Sequence, residues 1–229
     1  MKKSRILTLL TFFLVMPATL LLGTKLPGRR YYITGTLMIL EMMIPFFMAF
    51  EGRKPKAREL VVIAVMCAIA IVSRVAIPIP HFKAIFAVIM LAGIAFGPEA
   101  GFAVGAIAAF ASNFFYGQGA YTPWQMFAYG AAGMLSGFLF AKNRLPVKPW
   151  IMAIISFLVV LLVVGPLMDC SGIFIMLNNI TWAYVGALFA AGFTVNVIQA
   201  VSTAVMLMLF GKPLLDILER IKCKYGIYE

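Results

Sequence analysis

Charged residues are scarce in this chain of 229 residues: they make up 12%, against about 25% in a soluble globular domain. Acidic residues are the rarer sign, with 8 Asp and Glu against 19 Lys and Arg, whereas 63% of all residues are hydrophobic. A soluble fold cannot bury this excess, because a small globule has a large surface that polar groups must cover. The composition therefore excludes an ordinary soluble domain and predicts an integral membrane protein.

Metal-ligating and catalytic patterns are also lacking. His81 is the only histidine, and Cys67, Cys170 and Cys223 form no CxxC or other ligand spacing. The sequence has no GxxxxGK[ST] phosphate loop, no HExxH and no GxSxG, so it lacks these routes to ATP hydrolysis and to hydrolase chemistry. We expect no metal site, no cofactor and no enzymatic activity.

Long apolar runs are what the sequence has instead. They approach the roughly 20 residues that a helix needs to cross about 30 Å of hydrocarbon, whereas the short alternating segments of a membrane β-barrel are missing. The expected fold is therefore all-α. Eight runs are predicted as membrane-spanning helices: 6–23, 31–50, 60–77, 84–96, 100–115, 123–140, 150–167 and 181–210.

The distribution of basic residues predicts the orientation of the bundle. With eight crossings and a cytoplasmic N-terminus, most of the 19 Lys and Arg residues face the cytoplasm, as the positive-inside rule requires. The run 84–96 is short enough to be re-entrant, but the bias would largely vanish if it did not cross. We therefore expect a multi-pass protein of the cell membrane with both termini in the cytoplasm and a retained first helix.

Polar and aromatic residues concentrate in three segments of the predicted outer face, 78–83, 112–125 and 169–182. Amides, hydroxyls and rings suit an uncharged or mildly polar ligand with a flat ring, although any one of them can simply cap or anchor a helix. The inner loops are basic and lack these groups, so a site that opens outward is predicted. The candidate binding residues are His81, Asn113, Tyr116, Gln118, Tyr121, Trp124, Gln125, Asn178, Asn179 and Trp182.

Small residues and isolated charges mark the apolar runs. Glycine and alanine recur at four-residue spacing, for example over residues 97–109, which lets helices approach closely within the bundle or against a partner. Glu41 lies near the middle of its run, where a carboxylate is costly, and Arg74 lies near an outer end, where it can snorkel. A Glu41–Arg74 pair is an alternative, although the two depths do not match well.

Three parts of the chain resemble one family. The segment 96–140, FGPEAGFAVGAIAAFASNFFYGQGAYTPWQMFAYGAAGMLSGFLF, resembles the substrate-binding S-components of energy-coupling factor (ECF) vitamin importers. The tail 193–227 resembles their last helix and cytoplasmic end. Ala64 and Ala68 match the AxxxA motif on the first core helix of that family.

The resemblance covers roughly residues 58–227 and implies both an architecture and a mechanism. It implies a six-helix S-component-like core at residues 58–229, preceded by a two-helix transmembrane extension at residues 1–57. Such a core binds a vitamin outside and docks through Ala64 and Ala68 onto a transmembrane coupling subunit. Two cytoplasmic ATPases then drive toppling of the S-component, which releases the vitamin inside.

The resemblance is strongest to S-components for cobalamin and its precursors. An amide-fringed corrinoid would suit a wide site rimmed by amides and rings, and His81 is then a candidate ligand to the cobalt. Riboflavin, a queuosine precursor or another heterocycle are alternatives. Two other classes of function stay open: a stand-alone secondary transporter that uses Glu41 and Asp169 for protons, and a small membrane enzyme or assembly scaffold.

A cysteine introduced into the turn 116–122 tests the predicted orientation. We expect Ala120→Cys, in a Cys170→Ser and Cys223→Ser background, to react with a membrane-impermeant thiol reagent added to intact cells, because this turn faces outward. Labelling from the cytosolic side alone would contradict the orientation.

Overall fold

A computed structural model describes residues 15, 18–19, 31–52, 56–141, 144–176 and 181–225. These residues form helices and no β-strand, and two of the helical rods contain a π-helical turn, Val160–Val164 in one and Leu207–Gly211 in the other. The predicted run 6–23 falls almost entirely outside them. The helices are α1 Tyr31–Gly52, α2 Ala57–Val75, α3 Ile85–Phe96, α4 Pro98–Tyr116, α5 Thr122–Phe140, α6 Pro149–Val159, α7 Gly165–Met176, α8 Trp182–Met206 and α9 Lys212–Tyr225.

Several helices have the length and composition of membrane spans. Ile33–Gly52, Pro149–Ile175 and Trp182–Lys224 are each long and apolar enough to cross a bilayer. The helices α2, α4 and α5 have 19 residues each, a rise of about 28 Å, but are less apolar. The predicted class, an all-α membrane protein, is confirmed.

The short helix α3 lies at the centre of the bundle. Its 12 residues rise only about 18 Å, and each of them except Ile94 is buried. The chain from the end of α2 to the start of α3 is not helical, and Pro78 and Pro80 within it have no backbone N–H to donate to a helix. This segment, residues 76–84, is therefore available to line a cavity near the N-terminus of α3.

Glycine brings α4 and α5 into backbone contact. A Cβ atom on Gly101 would lie 2.7 Å from the carbonyl carbon of Gly133, and one on Gly105 would lie 2.5 Å from the carbonyl carbon of Tyr129. Both distances are too short for any side chain. The glycine rows seen in the sequence thus pack the bundle internally, and Ser136 adds a bond from α5 to the Met90 carbonyl of α3 at 3.0 Å.

Each π-turn ends two residues before a proline, Pro166 in one rod and Pro213 in the other. Proline cannot donate to the carbonyl four residues earlier, and its ring crowds that carbonyl, so a local widening of the helix relieves both problems. The predicted run 150–167 therefore ended too early. The helix continues through α7, so Asp169 lies within a helix and not in an outer loop.

The last rod is also longer than the predicted run 181–210. Trp182–Lys224 is continuous over 43 residues, and Thr181 caps its start by accepting a bond from the Tyr184 amide. Near the other end, Lys222 Nζ donates to the Ala95 carbonyl at 3.3 Å. A lysine there satisfies one of the free carbonyls at the C-terminus of α3.

Candidate functional site

A cavity of about 490 Å³, lined by both polar and apolar side chains, lies where α2 and α4 end and α5 begins. Segment 76–84 closes one side, and α7 and α8 close another. Its apolar lining comes from Pro80, Ile85, Phe86, Met168, Gly192 and Val195. Its polar lining comes from Arg74, His81, Lys83, Tyr116, Gln125, Tyr129, Asp169, Asn196 and Gln199.

Arg74 is held at the cavity wall by side chains of α4. Its Nη1 donates to Ser112 Oγ and, at 3.0 Å, to Asn113 Oδ1, and both acceptors are fully buried. These partners are neutral, so they orient the guanidinium without cancelling its charge. A charge at this depth is expensive unless it has a function or a partner, which marks Arg74 as a ligand-binding candidate.

Asn113 links Arg74 to α5. Its amide nitrogen donates to Gln125 Oε1 at 2.7 Å and to Thr122 Oγ1 at 3.3 Å. Gln125 Nε2 then donates to the Tyr129 hydroxyl at 3.1 Å. The network therefore spans three helices and leaves Gln125 and Tyr129 facing the cavity.

Aromatic rings flank the guanidinium of Arg74. Its Cζ lies 4.6 Å from the ring centroid of Tyr116 and 5.8 Å from that of Tyr129, which are cation–π distances. The Tyr116 hydroxyl also donates to the Arg74 carbonyl at 2.9 Å. Phe86 meets Tyr129 edge to face at 4.4 Å between centroids. The cavity thus offers ring surfaces next to hydrogen-bond donors.

An acceptor-rich corner is built from α7 and α8. Asn196 Nδ2 donates to Asp169 Oδ2 at 2.8 Å. Two glycines make room for this pair: a Cβ on Gly192 would collide with the Asp169 carboxylate, and one on Gly165 would lie 2.6 Å from Asn196 Cγ. Asn196 uses one of its two amide N–H groups on Asp169, so the corner offers the other N–H and the remaining oxygens of both residues to a ligand.

Segment 76–84 is fixed at both of its ends. Lys83 Nζ donates to the Ile77 carbonyl, and the Lys83 carbonyl accepts from Ser202 Oγ on α8 at 2.7 Å. Between them His81 has a φ of 59°, a conformation that non-glycine residues rarely adopt. The segment places His81 and Lys83 at the cavity.

The structure brings only some of the predicted binding residues together. His81, Tyr116 and Gln125 line the cavity, and Asn113 lies fully buried directly behind them. Gln118 and Tyr121 lie in the exposed turn between α4 and α5 and bond to the local carbonyls of Phe110 and Gly117. Neither of them lines this cavity.

Both predicted tryptophans are also outside the cavity. Trp124 faces α1 and stacks on Phe174 of α7 at 5.4 Å between centroids. Trp182 begins α8 and is 91% exposed, as expected of an interfacial anchor. Asn178 and Asn179 lie outside the described residues.

The suggested Glu41–Arg74 pair does not form. Glu41 Oε1 accepts from Thr19 Oγ1 at 2.5 Å, whereas Arg74 bonds to α4. The mismatch in depth noted from the sequence explains this separation. The described residues also contain no group of three or more His, Cys, Asp or Glu side chains that could hold a metal ion.

Several cavity residues were missed by sequence reasoning that looked mainly at loops. Tyr129, Asn196 and Gln199 lie within predicted spans, whereas Asp169 lies just beyond one and was considered only as a proton carrier. A signal was present, since a polar residue inside an apolar run is by default a functional candidate. Lys83 was considered only as one of the basic residues whose distribution predicts the orientation of the bundle.

The fold and the cavity define a membrane-embedded binding protein built from helices. Residues 54–215 match the model of the family described as ECF-type riboflavin transporter, S component. This match covers more than half of the chain, so the chain belongs to that family and the resemblance predicted from the sequence is confirmed. Membership implies a vitamin-type ligand and an energy-coupling module, and the family is one of transporter components. No curated protein and no solved structure gives a significant match.

Asn113→Ala tests the network behind the cavity. We expect the free energy of unfolding to fall by about 2 kcal/mol. The substitution removes three interhelical hydrogen bonds, to Arg74, Thr122 and Gln125, at roughly 0.6 kcal/mol each. Titration with sodium dodecyl sulfate in mixed micelles measures the change. Tyr121→Phe, which removes only the local bond from the Tyr121 hydroxyl to the Gly117 carbonyl, is the control and should lose less than about 1 kcal/mol. Equal losses would contradict a special role for Asn113.

Proposed function

We propose that this S-component captures riboflavin, or a flavin-like ring of similar size, in the cavity and delivers it to an ECF coupling module for ATP-driven uptake. The observation that carries this proposal is the lining: rings of Tyr116, Tyr129 and Phe86 beside the donors of Arg74 and the acceptors of the Asp169–Asn196 corner. The name of the matching family points to the same vitamin.

The size of the cavity favours a flavin over a corrinoid. Pockets that enclose a drug-sized ligand measure about 300–1,000 Å³, and this cavity, near 490 Å³, is in the lower half of that range. A tricyclic ring with a short polyol matches this volume. A corrinoid, a macrocycle with amide arms and a nucleotide loop, is several times larger. The cobalamin specificity expected from the sequence is therefore not the one we propose.

The polar groups of the cavity also complement a flavin. The pyrimidine edge of an isoalloxazine ring carries carbonyl acceptors and an imide N–H, and its side chain carries hydroxyls. Arg74 can donate to a carbonyl, and the Asp169–Asn196 corner can accept from an N–H or O–H. Charge-assisted bonds of this kind are worth about 1.5–3 kcal/mol each.

Riboflavin binding is the direct test. We expect saturable binding with one ligand per protein, in detergent or in nanodiscs. Quenching of flavin fluorescence measures this binding. Asp169→Asn and Arg74→Gln should each weaken it at least about tenfold, since each removes a charge-assisted bond. Tyr121→Phe is the control and should leave the affinity unchanged, because the Tyr121 hydroxyl bonds only to the local carbonyl of Gly117. Cyanocobalamin binding without riboflavin binding would contradict the proposal.

The face of α2 that carries Ala64 and Ala68 supports docking to the coupling subunit. Both alanines are exposed, and Val61, Val65 and Val72 around them are between 51% and 62% exposed. The opposite face of α2 packs against α3 and α4, so this apolar strip is free to meet a partner helix in the membrane. The same helix carries Arg74 at its other end, beside the cavity.

Ala64→Trp combined with Ala68→Trp tests the docking surface. We expect ATP-dependent riboflavin uptake to be lost while riboflavin binding stays intact, because the strip lies on the far side of α2 from the core. Uptake is measured in proteoliposomes that contain the coupling subunit and both ATPases. Ile154→Trp, on the exposed face of α6, is the matched control and should not impair uptake. Loss of binding in the double variant would show that the row packs the bundle instead.

The structure gives little support to a proton-coupled secondary transporter. Of its two suggested carboxylates, Asp169 lines the cavity, whereas Glu41 lies on α1 and bonds to Thr19. A relay would need them close together. Uptake into proteoliposomes that lack the ATPases would nevertheless establish that mechanism and contradict ours.

A further inference from the structure

Helix α1 contacts the core through a hydrophobic cluster of its own. Ile39 and Met43 of α1 pack with Phe102 of α4 and with Trp124 and Phe127 of α5. This cluster is separate from the main core cluster, which is built around α3. The helix also precedes residues 54–215, the part of the chain that matches the family.

Helices α5 and α7 contribute side chains both to this cluster and to the cavity lining. On α5, Trp124 and Phe127 face α1, whereas Gln125 and Tyr129, four residues apart and so on one face, line the cavity. On α7, Phe174 faces α1, whereas Met168 and Asp169 line the cavity. The wall is therefore one layer of helix thick, with α1 on one side and the ligand space on the other.

Gly35 is a point of close contact between α1 and this wall. A Cβ atom there would lie 3.1 Å from Trp124 Cζ2 and 3.2 Å from Phe174 Cγ. These two rings stack on each other, with an interplanar angle of 23°. A Cβ at position 35 therefore requires a shift of a few tenths of an ångström between α1 and the stacked pair, and a branched side chain requires a larger one.

The contact between α1 and the Trp124–Phe174 stack depends on close apolar packing. The indole Nε1 of Trp124 and the hydroxyl of Thr36 are buried, and within the described residues neither has a hydrogen-bond partner. Trp124 itself is only 7% exposed. Since no directional bond fixes the rings from the α1 side, their position depends on how closely α1 approaches.

We propose that α1 is a positioning element of the binding cavity: Gly35 seats the Trp124–Phe174 stack, and that seating sets the wall that α5 and α7 present to the ligand. This inference rests on the proposed function, because it assigns the cavity to ligand binding. Gly35, Trp124 and Phe174 do not touch the ligand; they act through Gln125, Tyr129 and Asp169.

The test is a wedge with a matched control on the same helix. Gly35→Val in the full-length protein should weaken riboflavin binding about tenfold, because the displaced wall narrows the cavity. Gly52→Val is the control: no atom lies within 4 Å of a Cβ at that position, so affinity should not change. Thermal stability without ligand is measured for both variants. A loss of stability in Gly35→Val with unchanged affinity would overturn the proposal.

A second substitution asks whether the stack transmits the effect. Phe174→Leu removes part of the ring that the wedge meets, so Gly35→Val with Phe174→Leu should regain affinity to within about threefold of Phe174→Leu alone. Additive losses in the double variant would show that position 35 acts by another route and would overturn the proposal.

A readout without ligand separates this inference from the choice of riboflavin. Gln199→Cys, in a Cys170→Ala and Cys223→Ser background, places a thiol on α8 in the cavity lining and removes the two native thiols that are not buried. Gly35→Val should slow its reaction with a small maleimide at least threefold, and Gly52→Val should not. If the parent protein binds no riboflavin, the proposed function fails, and the labelling rates still decide the role of α1. Equal rates in both variants would overturn it.

Discussion

The backbone contact between α4 and α5 is the constraint on which the cavity depends. Gly101 and Gly105 on α4 meet Gly133 and Tyr129 on α5 at distances that no side chain would allow. In a membrane, helices gain little from the hydrophobic effect against each other, so close packing of small residues provides much of their association. This contact sets the register that lets Asn113 on α4 bond to Gln125 on α5.

Once that register is set, the polar network follows. Asn113 can hold Gln125 and Arg74 at the same time only if the ends of α2, α4 and α5 meet. The guanidinium then stands between two tyrosine rings at the cavity wall. A charged side chain within a membrane-spanning helix is by default a functional candidate, and Arg74 is partly buried there. Arg74 is therefore better explained as part of a binding site than as a snorkelling residue.

Helix α2 connects two proposed activities. Its exposed alanines lie on a face away from the core, and Arg74 near its end lines the cavity. A rigid helix of 19 residues can carry both because side chains at different angles around one axis serve different neighbours. The cavity and the apolar strip thus use different side chains of the same helix. Helix α1 adds support from the side opposite the ligand space.

The sequence by itself determined the class of protein, since 63% hydrophobic residues in long runs leave no soluble alternative. It also located most helices within a few residues and identified the family, because composition, periodicity and local motifs are properties of neighbouring residues. It misplaced helix ends near Pro166 and Pro213, where π-turns let a rod continue through a residue that normally ends one.

Only the tertiary structure decided which polar residues share a cavity. Trp124 and Gln125 are adjacent in sequence, yet one faces α1 and the other faces the ligand space, because successive residues of a helix point about 100° apart. Asp169 and Asn196 are 27 positions apart and meet only because Gly165 and Gly192 leave room between α7 and α8. Such contacts depend on the rotation and separation of packed helices, which no local pattern encodes.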